Sequence, residues 1–413
     1  MRRNQLSLLL WLMLICCSDH SLFSYQQAVI VQPVVDLIGF SFCKEYNIKN
    51  SINHYQSIPL CAKSGHYGCA RLLQLLYNEQ VTIVEAYEDE VRIEISHLFF
   101  QTPRDNTQHI GYWTHKRNIM PLAALKNKGI DISTIPKPLS FIGQSKQNQD
   151  IISLKHPYFD PITQRTYSAG TRFVQAPTTR VHKNQIAVYA LQPKTMNVVI
   201  IGIPQKDIIA NPPKTPREQQ ELFISILREW AQLHNGFIPY AWGGCSFAGE
   251  CSDTTFNLAT RKIPSGISEY YEWPNYLGQP FAGFDCAGLI ARAAQLAGMP
   301  YYFKNTTTLA RNLQPLKQGE IIEPGDLIWF SGHVLIVSDT TYQTAIEARG
   351  YDHGFGKIQE ISLSKLFEGI STYDQLATAL FKNMPLKRLN AQEKMVQTIP
   401  NFKILKMSSL WSD

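Results

Sequence analysis

The chain is poor in charge of either sign. Its 413 residues include 39 Lys and Arg against 33 Asp and Glu, and charged residues make up only 17% of the sequence. The net charge of +6 is small for this length, and no stretch concentrates Lys and Arg, so a nucleic-acid-binding protein is a poor hypothesis. Hydrophobic residues account for 44%, which is typical of a globular protein and excludes an intrinsically disordered one. The length allows about two or three domains.

Long apolar runs and paired metal-ligand motifs are also missing. No segment after residue 17 reaches eighteen consecutive apolar residues, so we expect no membrane-spanning helix in the mature chain. Eight cysteines occur, but none forms a Cys-x-x-Cys pair and no histidine pair lies near them. This pattern argues against a zinc site, and we expect no metal site of any kind.

The N-terminus predicts export. Arg2 and Arg3 precede an apolar run over residues 6–17, which is short for a membrane span but fits the apolar core of a signal peptide. We therefore interpret residues 1–24 as a signal peptide or an N-terminal membrane anchor. Residues 14–17 loosely resemble a lipoprotein cleavage site, so lipid anchoring stays open beside simple secretion. The expected location is the periplasm or cell envelope.

Export also bears on the cysteines, because disulfides form in oxidising compartments. The pairing is left open, and at least one of the five candidates stays unpaired if Cys286 is a free thiol. These candidates are Cys43, Cys61, Cys69, Cys245 and Cys251.

Two strand-rich regions precede the helical part of the chain. In residues 25–125, a strand, turn and strand over 72–84 and the alternation over 91–95 predict a small all-β barrel. In residues 126–210, the segments 167–174 and 185–190 are expected to pair, with a buried strand over 198–203. We interpret this region as a second small barrel.

A proline-containing linker at 210–214 leads into a helix signal. The residues Thr-Pro-Arg-Glu at 215–218 form a capping box with proline at the first helical position, followed by apolar residues at helical spacing. We place the start of a third domain here and assign it residues 211–385. Residues 386–413 are left as a C-terminal tail.

A candidate nucleophile lies within this third domain. Residues 285–288 are Asp-Cys-Ala-Gly, and an Ala-rich helix is predicted from there to Gly298. Cys286 then occupies the first turn, where the helix dipole favours a thiolate and backbone N–H groups can receive an oxyanion. The alternative is a small buried cysteine that packs against the helix.

A candidate base and its partner follow on two strands. His333 opens a strand directly after a glycine turn, where it could deprotonate Cys286 and later protonate a leaving amine. Glu347 lies on the next strand, which would bring its carboxylate beside His333 to orient the imidazole. The alternatives are a surface histidine and an exposed glutamate paired with Arg349. His353, in a glycine-bracketed loop, competes with Glu347 for the third position.

Five elements of the third domain resemble the NlpC family of peptidoglycan-degrading cysteine peptidases. They occur in the family's order: Tyr-Ala-Trp-Gly-Gly at 240–244, Asp-Cys-Ala-Gly at 285–288, Gly-Asp-Leu at 325–327, His-Val at 333–334 and Ile-Glu-Ala at 346–348. The resemblance implies an α+β fold, in which a papain-like cysteine peptidase domain follows one or two small all-β SH3-like barrels. It also implies Cys286 as nucleophile, His333 as base and Glu347 as orienting residue.

The same resemblance implies residues that bind substrate. Tyr240 matches a tyrosine that lines the family's site. Some members hold a free N-terminal L-alanine through a barrel glutamate and the Asp and Ser beside the cysteine; Asp285 matches here, and Glu79 is a weaker match. Ala287 replaces the serine. A second departure is the aromatic insert of forty residues at 245–284, which is either a lid beside the nucleophile or a tolerated surface insertion.

The sequence thus predicts an exported cysteine endopeptidase. Its expected reaction is hydrolysis of the γ-D-glutamyl-diamino acid bond in peptidoglycan stem peptides, in wall remodelling or recycling. Peptidoglycan or its muropeptides are the expected partners. We expect no cofactor, because thiolate, imidazole and backbone donors suffice for acyl transfer. The alternatives are an N-acetylmuramoyl-L-alanine amidase on the same core and a non-catalytic wall-binding protein.

Overall fold

The computed structural model describes ten stretches of the chain. They are residues 25–51, 71–99, 111–139, 150–178, 181–233, 236–249, 282–300, 302–303, 305–350 and 355–411. The predicted leader at 1–24, most of the insert and His353 lie outside the described residues, as do Cys61, Cys69 and Cys251. Within the described stretches, no helix has both the length and the apolar character needed to cross a membrane.

The N-terminal region is dominated by a seven-stranded antiparallel sheet with the order β3-β2-β7-β5-β4-β1-β8. Its strands and the short β6 beside them are β1 (Gln26–Ile30), β2 (Val34–Ile38), β3 (Arg71–Leu76), β4 (Gln80–Tyr87), β5 (Glu90–Glu94), β6 (Leu98–Phe99), β7 (Tyr112–His115) and β8 (Ile119–Pro121). Two helices accompany it, α1 (Phe42–Tyr46) and α2 (Leu122–Asn127).

The predicted strand, turn and strand around residue 78 is confirmed as β3 and β4. Asn78 has a φ of 69° at the turn between them, a left-handed conformation that asparagine tolerates better than most residues. The predicted alternation over 91–95 is confirmed as well, since Val91 and Ile93 in β5 are buried while Arg92 and Glu94 are partly exposed.

The second region contains smaller antiparallel sheets. Its strands are β9 (Ile151–Leu154), β10 (Tyr158–Asp160), β11 (Arg165–Tyr167), β12 (Arg172–Val174), β13 (Gln185–Leu191), β14 (Val198–Pro204) and β15 (Ile208–Ile209). The expected pairing of 167–174 with 185–190 is wrong. β12 pairs with β9, and β13 pairs along its whole length with β14, because the turn between them forms a local hairpin. A single bridge, Gln175 to Val188, links the two predicted partners.

The two all-β regions share part of their core. Tyr77 of the first region packs against Tyr167 and Phe173 of the second, with ring centroids 5.0 and 5.9 Å apart. The Tyr77 hydroxyl also accepts a hydrogen bond from the Leu191 N–H over 2.6 Å. The regions are therefore packed together as all-β structure, and their SH3-like character stays a prediction.

The third region combines helices with a five-stranded sheet of order β22-β21-β20-β19-β25. Its strands are β16 (Cys245–Ser246), β17 (Gly283–Phe284), β18 (Tyr302–Phe303), β19 (Leu327–Phe330), β20 (His333–Asp339), β21 (Thr344–Arg349), β22 (Lys357–Ser362), β23 (Leu386–Leu389), β24 (Met395–Ile399) and β25 (Phe402–Leu405). Its helices are α3 (Pro216–Ala231), α4 (Cys286–Ala297), α5 (Thr306–Asn312), α6 (Leu363–Leu366) and α7 (Tyr373–Phe381).

The predicted start of α3 and both predicted ends of α4 are confirmed. Thr215 caps α3 by accepting from the Glu218 N–H. Asp285 caps α4, and Gly298 ends it with a φ of 73°. All twelve residues of α4 are buried, because the helix lies between α3 on one side and β20 and β21 on the other. This position makes α4 the centre of the third region.

The last part of the chain belongs to this fold. β25 pairs with β19 along its whole length, and β23 and β24 form a hairpin beside the sheet. Residues after 385, expected as a tail, therefore complete the same sheet as the predicted site. Sequence alone did not show this, because antiparallel pairing between strands about 70 residues apart leaves no local signal.

Candidate active site

Two glycines bring the predicted motifs at 240–244 and 285–288 into contact. The Asp285 N–H donates to the carbonyl oxygen of Gly244 over 3.1 Å. A β-carbon added to Gly288 would lie only 2.0 Å from that same oxygen, and one added to Gly244 would lie 2.4 Å from the carbonyl oxygen of Gly283. Glycine is required at both positions because the two backbones touch. The motif spacing thus reflects packing around the start of α4.

Cys286 is the first residue of α4. The Asp285 side chain accepts from the Gly288 N–H, which fixes where the helix begins. Cys286 is 8% exposed and belongs to the main apolar core of this region. Its place at the positive end of the helix favours a thiolate, and backbone N–H groups of a first turn can stabilise an oxyanion.

His333 is placed by a tight β-hairpin. It pairs with Phe330 across the turn at 331–332, where Gly332 has a φ of 83°. The two side chains also contact each other, with ring centroids 5.4 Å apart. Only 15% of the His333 side chain is exposed. The imidazole is therefore held at the end of β20, on the sheet that packs against α4.

The sheet register brings Glu347 to His333. β20 and β21 pair Ile336 with Ile346, so Glu347 lies opposite Leu335, on the same face as His333. His333 Nε2 is 3.2 Å from Glu347 Oε2. The predicted proximity is confirmed, and the alternative of an exposed strand glutamate is wrong, since Glu347 is 0% exposed.

Two further side chains bind the Glu347 carboxylate. Gln359, directly opposite on β22, donates to Oε1 over 3.1 Å. Arg388 of β23 donates to Oε2, and its Nη2 also lies 3.4 Å from His333 Nε2. The Arg388 side chain is 3% exposed, so this is a buried ion pair. Arg388 was missed by sequence reasoning, because it lies 41 residues from Glu347 in a segment with no motif.

These contacts set the charges of the site. Burial would raise the pKa of Glu347, but Arg388 and His333 outweigh it and hold that pKa well below its usual value. Burial, reinforced by Arg388, lowers the pKa of His333 to about 4 against the pull of Glu347. At neutral pH the site therefore holds a carboxylate, a guanidinium and a neutral imidazole.

The hydrogen bond to Glu347 also fixes the imidazole tautomer. An ionised carboxylate only accepts hydrogen bonds, so Nε2 carries the proton and donates it to Glu347. The lone pair then resides on Nδ1, which leaves that atom as the proton acceptor of the ring. A neutral histidine in this tautomer is ready to act as a general base.

The predicted substrate-binding residues occupy different settings. Tyr240 is 9% exposed, and its backbone bridges to Phe284 and donates to the Gly356 carbonyl, so it belongs to the same apolar core as Cys286. Asp285 caps α4. Glu79 lies 3.0 Å from Arg292 of α4 in a buried ion pair. Their roles toward substrate stay predictions.

The expectations for His353 and for the insert concern residues that are largely outside the described ones. His353 and residues 250–281 of the insert lie outside them, so neither the competing third member nor the lid is described. Cys245, at the start of the insert, directs its thiol at the Gly288 carbonyl over 3.4 Å. Within the described stretches, no group of three or more His, Cys, Asp or Glu side chains is arranged to hold a metal ion.

Comparison with solved structures assigns the fold. An NlpC/P60 family protein from Bacillus cereus superposes with a TM-score of 0.50 and 15% identity, over 82% of this chain and 94% of that one. The chain has the NlpC/P60 fold. The resemblance predicted from the five motifs is thereby confirmed at the level of fold, with mixed helices and sheets as expected.

Two other structures match the chain less well. An NlpC/P60 endopeptidase from Photobacterium damselae subsp. piscicida has 10% identity and a TM-score of 0.37, over 92% of this chain and 73% of that one. The peptidoglycan hydrolase RipB from Mycobacterium tuberculosis has 21% identity and a TM-score of 0.23, over 38% and 68%. No family model and no curated protein matches the sequence. The NlpC/P60 assignment therefore rests on structure and on the motifs.

Proposed function

We propose that this protein is an exported cysteine endopeptidase that hydrolyses the γ-D-glutamyl-diamino acid bond of peptidoglycan stem peptides. The observation that carries the proposal is the hydrogen bond from His333 to Glu347, on the sheet against which α4 packs its N-terminal Cys286. The substrate comes from the motif resemblance to NlpC peptidases and from the NlpC/P60 fold. The all-β regions would be the SH3-like domains that accompany such enzymes.

The chemistry follows from the tautomer of His333. Nδ1 takes the proton of the Cys286 thiol, and the thiolate attacks the substrate carbonyl carbon. The resulting oxyanion is received by backbone N–H groups in the first turn of α4. His333 then gives its proton to the leaving amine as the C–N bond breaks. Water, deprotonated by the same nitrogen, cleaves the thioester and restores the thiol.

The direct test uses defined muropeptides and mass spectrometry of the products. The full chain should release fragments cut after D-glutamate, and Cys286→Ala should lower turnover by roughly a thousandfold or more. Cys245→Ala is the matched control, because it removes a nearby thiol that takes no part in the mechanism. Full turnover by Cys286→Ala would refute the proposal, and release of intact stem peptide would identify the amidase instead.

The same assay addresses recognition of a free L-alanine amine. Glu79 is already paired with Arg292, and Ala287 offers no hydroxyl group beside the nucleophile. Both observations weaken the case for an amine site of the kind the resemblance implies. Comparing kcat/KM for free tripeptide and muramyl-linked tripeptide measures the requirement, since a strict amine site would reject the muramyl-linked form.

A further inference from the structure

We infer that Arg388 is a positioning residue of the site, which cancels the charge of Glu347 and so keeps His333 a neutral base. The inference rests on the proposed peptidase function for its kinetic readout. Its physical basis is the juxtaposition of three side chains from three strands: Glu347 of β21 binds both His333 of β20 and Arg388 of β23, which also lie against each other.

The first step is the sharing of one oxygen. Both His333 Nε2 and Arg388 Nη2 bind Oε2 of Glu347, while Gln359 binds the other oxygen. A fully buried carboxylate needs such partners, because an unpaired charge in the interior is costly. Of the described residues that hydrogen-bond this carboxylate, Arg388 is the one with a permanent positive charge.

The second step is the effect that Glu347 would have on the pKa of His333 without Arg388. A buried carboxylate hydrogen-bonded to an imidazole stabilises the imidazolium, which raises the histidine pKa. An imidazolium formed in the resting enzyme could not accept the thiol proton. With Arg388 present, the carboxylate and guanidinium sum to zero, and the neutral imidazole is the favoured form. A carboxylate as third member thus functions here together with a cation.

The third step is how firmly Arg388 is held. Its backbone bridges to Phe367, and its guanidinium stacks on Phe330 with the central carbon 5.1 Å from the ring centroid. Arg349 fixes the neighbouring backbone by donating to the Leu389 carbonyl over 2.7 Å. Phe330 therefore contacts both His333 and Arg388, and the cation has a fixed distance to the imidazole.

Other charged groups near His333, apart from Glu347, affect its pKa less than Arg388 does. Arg349 also lowers the pKa of His333, but less than Arg388 does. On α4, the helix packed against β20, the titratable or charged residues are Cys286, Arg292 and, at the cap, Asp285. From β22 the group that reaches Glu347 is the neutral amide of Gln359. Arg388 is thus the dominant cation among the described residues.

The test follows the His333 pKa by NMR in full-length Cys286→Ala protein with labelled histidines. The His333 resonance is assigned by its loss in a His333→Asn variant. Arg388→Met should raise the His333 pKa by about one unit or more, while Arg388→Lys, which keeps the charge, should shift it less. An unchanged His333 pKa in Arg388→Met would overturn the inference.

A double variant covers the case in which Arg388→Met fails to fold. Glu347→Gln removes the buried negative charge, so Glu347→Gln/Arg388→Met contains no unpaired ion. The His333 pKa should be lowest in Glu347→Gln, where the guanidinium acts alone, and higher in the double variant. Equal values in these two variants would show that Arg388 has no effect on the imidazole.

Kinetics on the active enzyme provide the second readout. In Arg388→Met the acid limb of kcat/KM should move upward with the His333 pKa, whereas a merely structural loss would lower activity equally at every pH. Arg292→Met is the matched control, since it breaks another buried Glu–Arg pair away from His333. If the wild-type protein cleaves no muropeptide, the proposed function fails, but the NMR result still decides the role of Arg388.

Discussion

Two regions of this protein bury the same four residue types. The inner set lies between the N-terminal sheet and α4 and comprises Cys245, His97, Glu79 and Arg292. The site set comprises Cys286, His333, Glu347 and Arg388. Each contains a buried Glu–Arg pair near a histidine, and burial is the main cause that lowers the pKa of both His97 and His333 to about 4. Composition therefore does not distinguish a site from a structural core.

The cysteines show the first difference. Cys245 lies in β16, where its thiol donates to the Gly288 carbonyl and also interacts with the Arg292 guanidinium. Cys286 begins α4, where N–H groups favour the thiolate. The two thiols therefore differ in setting: Cys245 lies on a strand beside a carbonyl and a guanidinium, and Cys286 lies at the positive end of a helix.

The second difference is access. The inner set surrounds a cavity of about 20 Å³, which is room for roughly one water molecule. In the inner set Arg292 has a structural role, because it binds Glu79 and the Cys245 carbonyl. His333 instead lies next to the turn of the β19–β20 hairpin, and 15% of its side chain is exposed. A buried Glu–Arg pair thus links the N-terminal sheet to α4 in one place, and in the other it lies against His333, the proposed base.

The largest expected contrast is between the histidines. His333→Asn should lower kcat/KM by roughly a thousandfold or more, because the thiol loses its proton acceptor. His97→Asn should change it by less than about threefold, since His97 touches no reacting atom. Initial rates on a defined muropeptide measure both. Comparable losses of kcat/KM in the two variants would contradict the assignment of His333, rather than His97, as the base.

Next in size is the stability of the two ion pairs. Arg292→Met and Arg388→Met each leave a buried carboxylate unpaired, so each should lower the free energy of unfolding by about 3–5 kcal/mol. Urea denaturation at pH 7 measures the loss. Restoring stability with Glu347→Gln in the Arg388→Met background would confirm that the unpaired charge causes it. If Arg292→Met costs nothing, the inner pair does not stabilise the contact between the sheet and α4.

The smallest expected effect is a pH dependence of stability common to both sets. Each histidine has a folded pKa of about 4, below the unfolded value of about 6.5. The unfolded chain therefore binds protons first as the pH falls, and each histidine should remove up to about 3 kcal/mol of stability between pH 6.5 and 4. Above pH 6.5 the contribution of each histidine to stability is fully present.

Urea denaturation across that range measures this slope. His97→Asn and His333→Asn should each flatten it by a similar amount, although only one of them changes activity. A slope that is unchanged in both variants would show that neither histidine is buried as neutral imidazole. The range above about pH 5.5 isolates the histidines, because the stability contributed by the lowered pKa values of Glu79 and Glu347 is lost only as the pH falls through the unfolded carboxyl value of about 4.5.

Local sequence was a good guide to the elements that carry the site. The capping box at Thr215 and the glycine at 298 predicted the ends of α3 and α4, because caps are local hydrogen bonds and backbone conformations. The position of Cys286 in the first turn followed directly. Alternation and glycine turns likewise predicted that His333 opens a strand.

Pairing between distant segments was less predictable. The strands at 167–174 and 185–190 were expected to pair, yet each pairs mainly elsewhere, since strand propensity carries no information about the partner. For the same reason, the pairing of β25 with β19 and of β23 with β24 was not predicted. Arg388 consequently could not be connected with Glu347 before the fold was known.

The sequence by itself determined where α4 begins, which residue stands at its positive end and which histidine opens the facing strand. These features depend on neighbours a few residues apart. Only the tertiary structure decided that Glu347 is buried, that Arg388 neutralises it and that Glu79 is paired with Arg292. The charge state of a buried group depends on every ion packed around it, and those ions come from parts of the chain that no local pattern connects.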